Sequence, residues 1–86
     1  MEPDLEYYRA QIDEIDTQIS RLLASRFAVV DGIAEFKRKN NLPVLNTSRE
    51  TVVLSKVADT AGEDFAEDVK AVYGRILEVS KKRQVR

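Results

Sequence analysis

The stretch LEYYRAQIDEIDTQISRLLASRFAVVDGIAEF, residues 5–36, decides the fold. Its apolar side chains recur at Leu5, Tyr8, Ile12, Ile15, Ile19, Leu22, Val29, Ile33 and Phe36. In heptad register Leu5, Ile12, Ile19 and Ile33 share one seam position, and Tyr8, Ile15, Leu22, Val29 and Phe36 share the other. That spacing predicts one long helix. Pro3 and Asp4 suit its start, through a fixed φ and a negative charge at the N-terminus. The pattern stops at Asn40-Asn41, and Pro43 prevents helix through the next residues. Some 36 residues at 1.5 Å rise make a rod of roughly 54 Å, whereas a compact globule of this length has a radius of gyration of about 12 Å. The rest of the chain is too short to cover such a rod. The sequence therefore predicts that it packs against a second copy of itself in an intertwined homodimer.

Working outward, a loop is expected over 41–46. Thr47-Ser48-Arg49-Glu50 then has the spacing of a capping box, with Glu50 able to reach back to the N-cap amide. A short helix carrying Val53, Leu54 and Val57 follows and ends near Ala61-Gly62. Asp64 offers the next N-cap, with Glu67 three residues on. A third helix carrying Phe65, Val69, Val72, Tyr73, Ile76 and Leu77 runs to about Gln84. The fold class is all-α: three helices per chain, one long, one short and one medium, in an intertwined homodimeric helical bundle. Residues 1–86 read as a single domain.

Composition narrows the function. Lys plus Arg number 14 and Asp plus Glu 15, a formal net charge of -1. That balance argues against a general nucleic-acid binder, although Lys81, Lys82, Arg83 and Arg86 form a basic tail. No apolar run is long enough to span a bilayer and no signal-peptide pattern opens the sequence, so the expected compartment is the cytoplasm. The chain contains no Cys and no His. It therefore lacks a thiol nucleophile, a thiolate metal site, and the commonest general base. Gly32, Gly62 and Gly74 stand singly, with no phosphate-cradling loop. An enzyme built from these residues should run a reaction with little proton transfer, and neither cofactor nor metal is expected.

Polar residues interrupt the apolar pattern at informative places. Arg26 occupies the seam position between Ile19 and Ile33, where a buried guanidinium is tolerated only when paired or matched to an anion. Its ordinary explanation is snorkelling to solvent or pairing with a carboxylate such as Asp31. Lys37 lies 11 residues later, within roughly 20° of the same face and ~16 Å along the axis; alone it would be compensation of the helix dipole. Arg9 precedes Arg26 by 17 residues, about 100° around and ~25 Å away. It is out of reach of the same site within one chain but within reach in a crossed dimer; otherwise it is a solvated Arg near Glu6 or Asp13. On the third helix the stripe Val69, Tyr73, Ile76 continues into Ser80 and Gln84, a polar face or a fraying end.

Taken together these positions resemble the all-α chorismate mutases, from about Leu5 to Gln84. The match comprises Arg9-x-x-Ile12-x-x-Ile15-Asp16, Leu22-Leu23-x-x-Arg26, Lys37, Pro43-Val44-x-x-x-x-Arg49-Glu50 and Ser80-x-x-x-Gln84. Each is weak alone; five in order are specific. One position departs: Asn46 stands where the family commonly has Asp. The resemblance implies rearrangement of chorismate to prephenate, toward phenylalanine and tyrosine, without cofactor. It implies that Arg26 and Arg9 of the partner chain hold two carboxylates and that Lys37 and Gln84 donate to the ether oxygen. It further implies that Glu50, with Asn46, takes the ring hydroxyl, that Arg49 and Ser80 complete the polar shell, and that Ile33 and Leu77 form apolar walls. Fusion to, or complex with, another aromatic-pathway enzyme is compatible with it. An isochorismate pyruvate lyase on the same fold is the nearest alternative, against which the Arg49-Glu50 pair and Ser80 speak. A non-catalytic dimerisation module is the other, against which Arg26 in the seam speaks.

Overall fold

A computed structural model of the chain describes residues 2–85; Arg86, counted above in the basic tail, lies outside them. The described residues form three α-helices and no strand: α1 over Leu5–Lys39, α2 over Thr47–Ala61 and α3 over Ala66–Gln84. Asp4 caps α1, its side chain accepting the Tyr7 N–H at 2.9 Å, which satisfies one of the four orphan donors of a helix start. At the other end Asn41 takes a left-handed φ of 53°. The Leu42 N–H reaches back to the Lys37 carbonyl at 2.9 Å and the Asn41 N–H to Arg38 at 3.4 Å. This is a Schellman ending, with Asn in the role more often taken by Gly.

Two predicted caps shift. Asn46, not Thr47, is the N-cap of α2; its extended backbone lets its side chain accept the Arg49 N–H at 3.0 Å. Thr47 is already helical, and Asn is among the best capping residues. Glu50 is thereby released from the capping box. Asp64 does not cap α3 either. Gly62, at φ 89°, reverses the chain, and the Phe65 N–H closes the turn on the Gly62 carbonyl at 3.1 Å. The helix starts one residue beyond that turn, with Phe65 as an N-cap that makes no side-chain bond. Glu67 and Asp68 still place negative charge in the first turn, where the dipole favours it.

Helix α3 packs against both others, while α1 and α2 do not pack directly on each other. Val30, Ala34 and Ser80 are the buried residues where α1 meets α3. The molecule is a rod with an attached pair of helices, 60 × 24 × 15 Å, and its radius of gyration is 16.4 Å, against about 12 Å for a compact chain. Every apolar residue of the heptad pattern on α1 is exposed, Leu22 to 69% and Ile12 to 55%. Among the described residues no helix is long and apolar enough to cross a membrane.

Candidate active site

The C-terminal half of α1, the start of α2 and the last turns of α3 enclose a cavity of about 340 Å³. Helical periodicity explains who faces it. Arg26, Ile33 and Lys37 lie on one face of α1, and Leu77, Ser80, Lys81 and Gln84 at i, i+3, i+4 and i+7 on one face of α3; all seven line the cavity. Asn46, Arg49 and Glu50 enter from the first turn of α2, and Val29, Val30 and Val53 add apolar wall.

Arg26 does not pair with Asp31, which five residues on points about 140° away. Its guanidinium donates to Ser80 Oγ at 3.0 Å and lies over the Tyr73 ring, 5.7 Å from the centroid. Ser80 donates in turn to the Ile76 carbonyl at 2.8 Å, so the hydroxyl is fixed as an acceptor for Arg26. Ser80 is only 4% exposed. The third helix therefore does not fray here. A serine at this register replaces an apolar contact with a hydrogen bond that aims the cation.

Lys37 and Gln84 meet. Lys37 Nζ donates to Gln84 Oε1 at 2.9 Å and to the Val44 carbonyl at 2.8 Å. A lysine ammonium has three donors, so one remains, and the bond to Gln84 takes the amide oxygen and leaves the amide NH₂ as a donor. Both residues line the cavity, and the groups these bonds leave unused are donors. Lys37 stands in the last turn of α1, where its charge suits the helix dipole, and its ammonium turns inward to Val44 and α3.

Glu50 is half-buried, and Lys81 Nζ stands 3.3 Å from its Oε2. The sequence reading missed Lys81 by counting it in a basic tail; its spacing from Leu77 and Gln84 was the available signal. Arg83, its neighbour in that tail, faces the other side of α3. It donates from Nε to Asp31 at 3.0 Å and from a terminal nitrogen at 2.6 Å, and stacks over Phe27. The Asp31 hydrogen bond raises the already high guanidinium pKa further. Arg9 is exposed on the N-terminal half of α1 and is not among the residues that line the cavity.

Four cations, Arg26, Lys37, Arg49 and Lys81, thus line one partly apolar chamber with a single acidic residue, Glu50. Such a chamber suits a small dianion with a polar non-ionic group and an apolar body. The sequence profile for chorismate mutase type II matches residues 8–85, and the chain belongs to that family. It is 43% identical over 56 residues to the bifunctional chorismate mutase/prephenate dehydratase of Buchnera aphidicola subsp. Schizaphis graminum (strain Sg), covering 65% of this chain and 14% of that protein. It is 39% identical over 54 residues to the protein of the same description from Aquifex aeolicus (strain VF5), covering 63% of this chain and 15% of that one. The chain thus spans about a seventh of the length of these curated relatives. No solved structure matches it significantly. The family membership bears out the resemblance to the chorismate mutases read from the sequence.

Proposed function

We propose that this chain catalyses the rearrangement of chorismate to prephenate, with residues 1–86 forming one mutase domain that works as an intertwined homodimer. The observation that carries this reading is the Lys37–Gln84 hydrogen bond, because it sets two residues with donors to spare side by side on the cavity wall. In the reaction the ether C–O bond breaks as a C–C bond forms, within one molecule; no atom, proton or electron enters or leaves. Negative charge grows on the ether oxygen, and donors fixed beforehand at that point lower the barrier without reorganising. Arg26, held by Ser80 and Tyr73, takes one substrate carboxylate, and Arg49 completes the polar shell. Glu50, with Asn46, accepts the ring hydroxyl. Ile33 and Leu77 select the folded conformer in which the reacting carbons are close.

The second carboxylate falls to Arg9 of a second copy. The exposed seam supports this, as does an apolar groove of about 470 Å³ beside the cavity, lined by Ile19, Leu22, Val69 and Val72 among others. Arg26 lines both groove and cavity, so a helix filling the first would arrive at the second. The bifunctional relatives support a further reading, that this mutase unit acts joined to or beside another enzyme of the aromatic pathway, in the cytoplasm.

The test is incubation of the purified chain with chorismate and, separately, with isochorismate. Prephenate from the first and no salicylate from the second is the expected result. Salicylate formation would replace the mutase reading with the lyase, and inertness toward both would leave a dimerisation module.

A further inference from the structure

We infer that Lys81 is a positioning residue that aims Glu50 at the substrate's ring hydroxyl and so sets recognition of that group; this rests on the function proposed above. Three observations carry it. Glu50 is not used as the reciprocal arm of a capping box, because Asn46 caps α2 through Arg49, so its carboxylate is available to the cavity. Lys81 Nζ lies 3.3 Å from Glu50 Oε2, with the Glu50 side chain 25% exposed. Both residues line the same cavity as Ser80 and Gln84, and the pair bridges α2 to α3 across it.

A carboxylate on a two-carbon arm has several rotamers, and only some face the cavity. Glu50 sits in the first turn of α2, at the positive end of the helix dipole. The dipole does not choose where the anion points. Lys81, on the facing helix, does so by holding Oε2 and leaving Oε1 as an acceptor. A hydroxyl donating to an ionised acceptor makes a stronger bond than one donating to a neutral group, so this contact discriminates substrates that bear the hydroxyl from those that lack it. Lys81 acts through Glu50 and makes no contact with the breaking bond.

The experiment compares calorimetric binding of two rigid cyclic dicarboxylates that mimic the transition state, one with the ring hydroxyl and one without. The proteins are the unaltered chain, Lys81→Met, Lys81→Arg, Glu50→Gln and the Lys81→Met/Glu50→Gln double variant. The unaltered chain should prefer the hydroxylated compound by about tenfold, the scale of one charge-assisted hydrogen bond. Lys81→Met should reduce that preference to below about threefold, weakening the hydroxylated compound clearly more than the deoxy compound, Lys81→Arg should keep it, and in the Glu50→Gln background Lys81→Met should leave the preference where Glu50→Gln alone puts it, as coupled residues do. In turnover, Lys81→Met should raise KM with little change in kcat, because the hydroxyl contact is the same in ground and transition states. Equal weakening of both compounds would make Lys81 a carboxylate ligand and overturn the inference, as would a preference that survives its loss. A chain that shows this pattern but leaves chorismate unconverted would refute the mutase reading alone; one that converts chorismate with the preference untouched by Lys81→Met would refute this inference alone.

Discussion

The two halves of α1 carry the same heptad spacing and differ in what they meet. From Leu5 to Leu22 the seam is uninterrupted, all of it exposed, with no helix of its own chain along most of its length. From Leu23 to Lys39 the seam is broken by Arg26, yet this half holds Val30 and Ala34, the buried contacts with α3, and one wall of the cavity. The half with the purer apolar pattern is thus the half that buries none of its residues within the chain. On the function proposed, a seam of Leu and Ile is a demand for another helix, and the place where it admits arginine is where the demand changes to an anion. The following expectations break or sharpen that contrast.

The largest effect should come from the bare half. Ile12→Asp puts a charge at the centre of the seam, where pairing with a second helix would bury it at several kcal/mol. Sedimentation should show micromolar dimer for the unaltered chain and monomer, largely unfolded, for the variant. Chorismate turnover should fall at least as far as loss of one carboxylate donor would take it, about 10²–10³. A folded, active Ile12→Asp monomer would show that this half serves no partner and would end the role given to Arg9.

Next is Arg26→Ala in the other half. It removes a cation whose burial costs desolvation, and Ser80 keeps its own bond to Ile76. Turnover should drop by about 10²–10³ while the melting temperature holds or rises. Near-normal kcat/KM would return Arg26 to an ordinary structural arginine. A mixture of Arg9→Ala and Lys37→Ala chains then tests how the halves are joined. If Arg9 serves the partner's cavity, each mixed dimer has one intact site, and a one-to-one mixture should recover roughly a quarter of full activity. No recovery after subunit exchange, confirmed by mass spectrometry, would put Arg9 in its own chain's site or in none.

Gln84→Glu probes the cavity's polarity more finely. The amide of Gln84 donates at any pH, whereas a carboxyl donates only when protonated, with an ordinary Glu pKa of about 4.3. Lys37, 2.9 Å from this position, favours the charged form and lowers that value. The variant should therefore be ionised and impaired across the neutral range, recovering only as pH falls through its depressed pKa. Profiles of kcat/KM against pH that run parallel for the two proteins would remove Gln84 from the breaking bond.

How much of this was legible in the sequence follows from what each feature depends on. Helix α1 was legible because 35 residues of one period leave no competing structure. Helical spacing alone put Arg26 with Lys37 on one face and Ser80 with Gln84 on another, and only the resemblance to the chorismate mutases joined the two pairs into one expected site. The caps were misplaced because Asn46 and Thr47, or Asp64 and Phe65, differ by one residue, and the choice rests on a local φ that composition does not encode. Lys81 was hidden by its neighbours: in a run of Lys81, Lys82 and Arg83 charge looks uniform, and only α2 packing across α3 separates the lysine that meets Glu50 from the arginine that meets Asp31.

The smallest effect should lie at Asn46, where the helical pair beside the cavity is held by its own local bonds. In Asn46→Asp the side chain still presents an oxygen to the Arg49 N–H, now as an anion at the positive end of α2. Stability should rise by about 0.3–1 kcal/mol at neutral pH. The helix end depresses the folded pKa of the new carboxyl below its unfolded value of about 3.9. The gain is then fully present above that unfolded value and disappears as pH falls through the folded one. Urea titrations at pH 7 and at pH 3 read this directly. Activity should change by less than about tenfold if, as proposed, either side chain offers the ring hydroxyl an acceptor while Glu50 carries the main contact. A variant less stable than the unaltered chain at pH 7 would mean that the amide NH₂ of Asn46, and not only its oxygen, is engaged. The half of the molecule that holds the cavity would then depend on more than its caps.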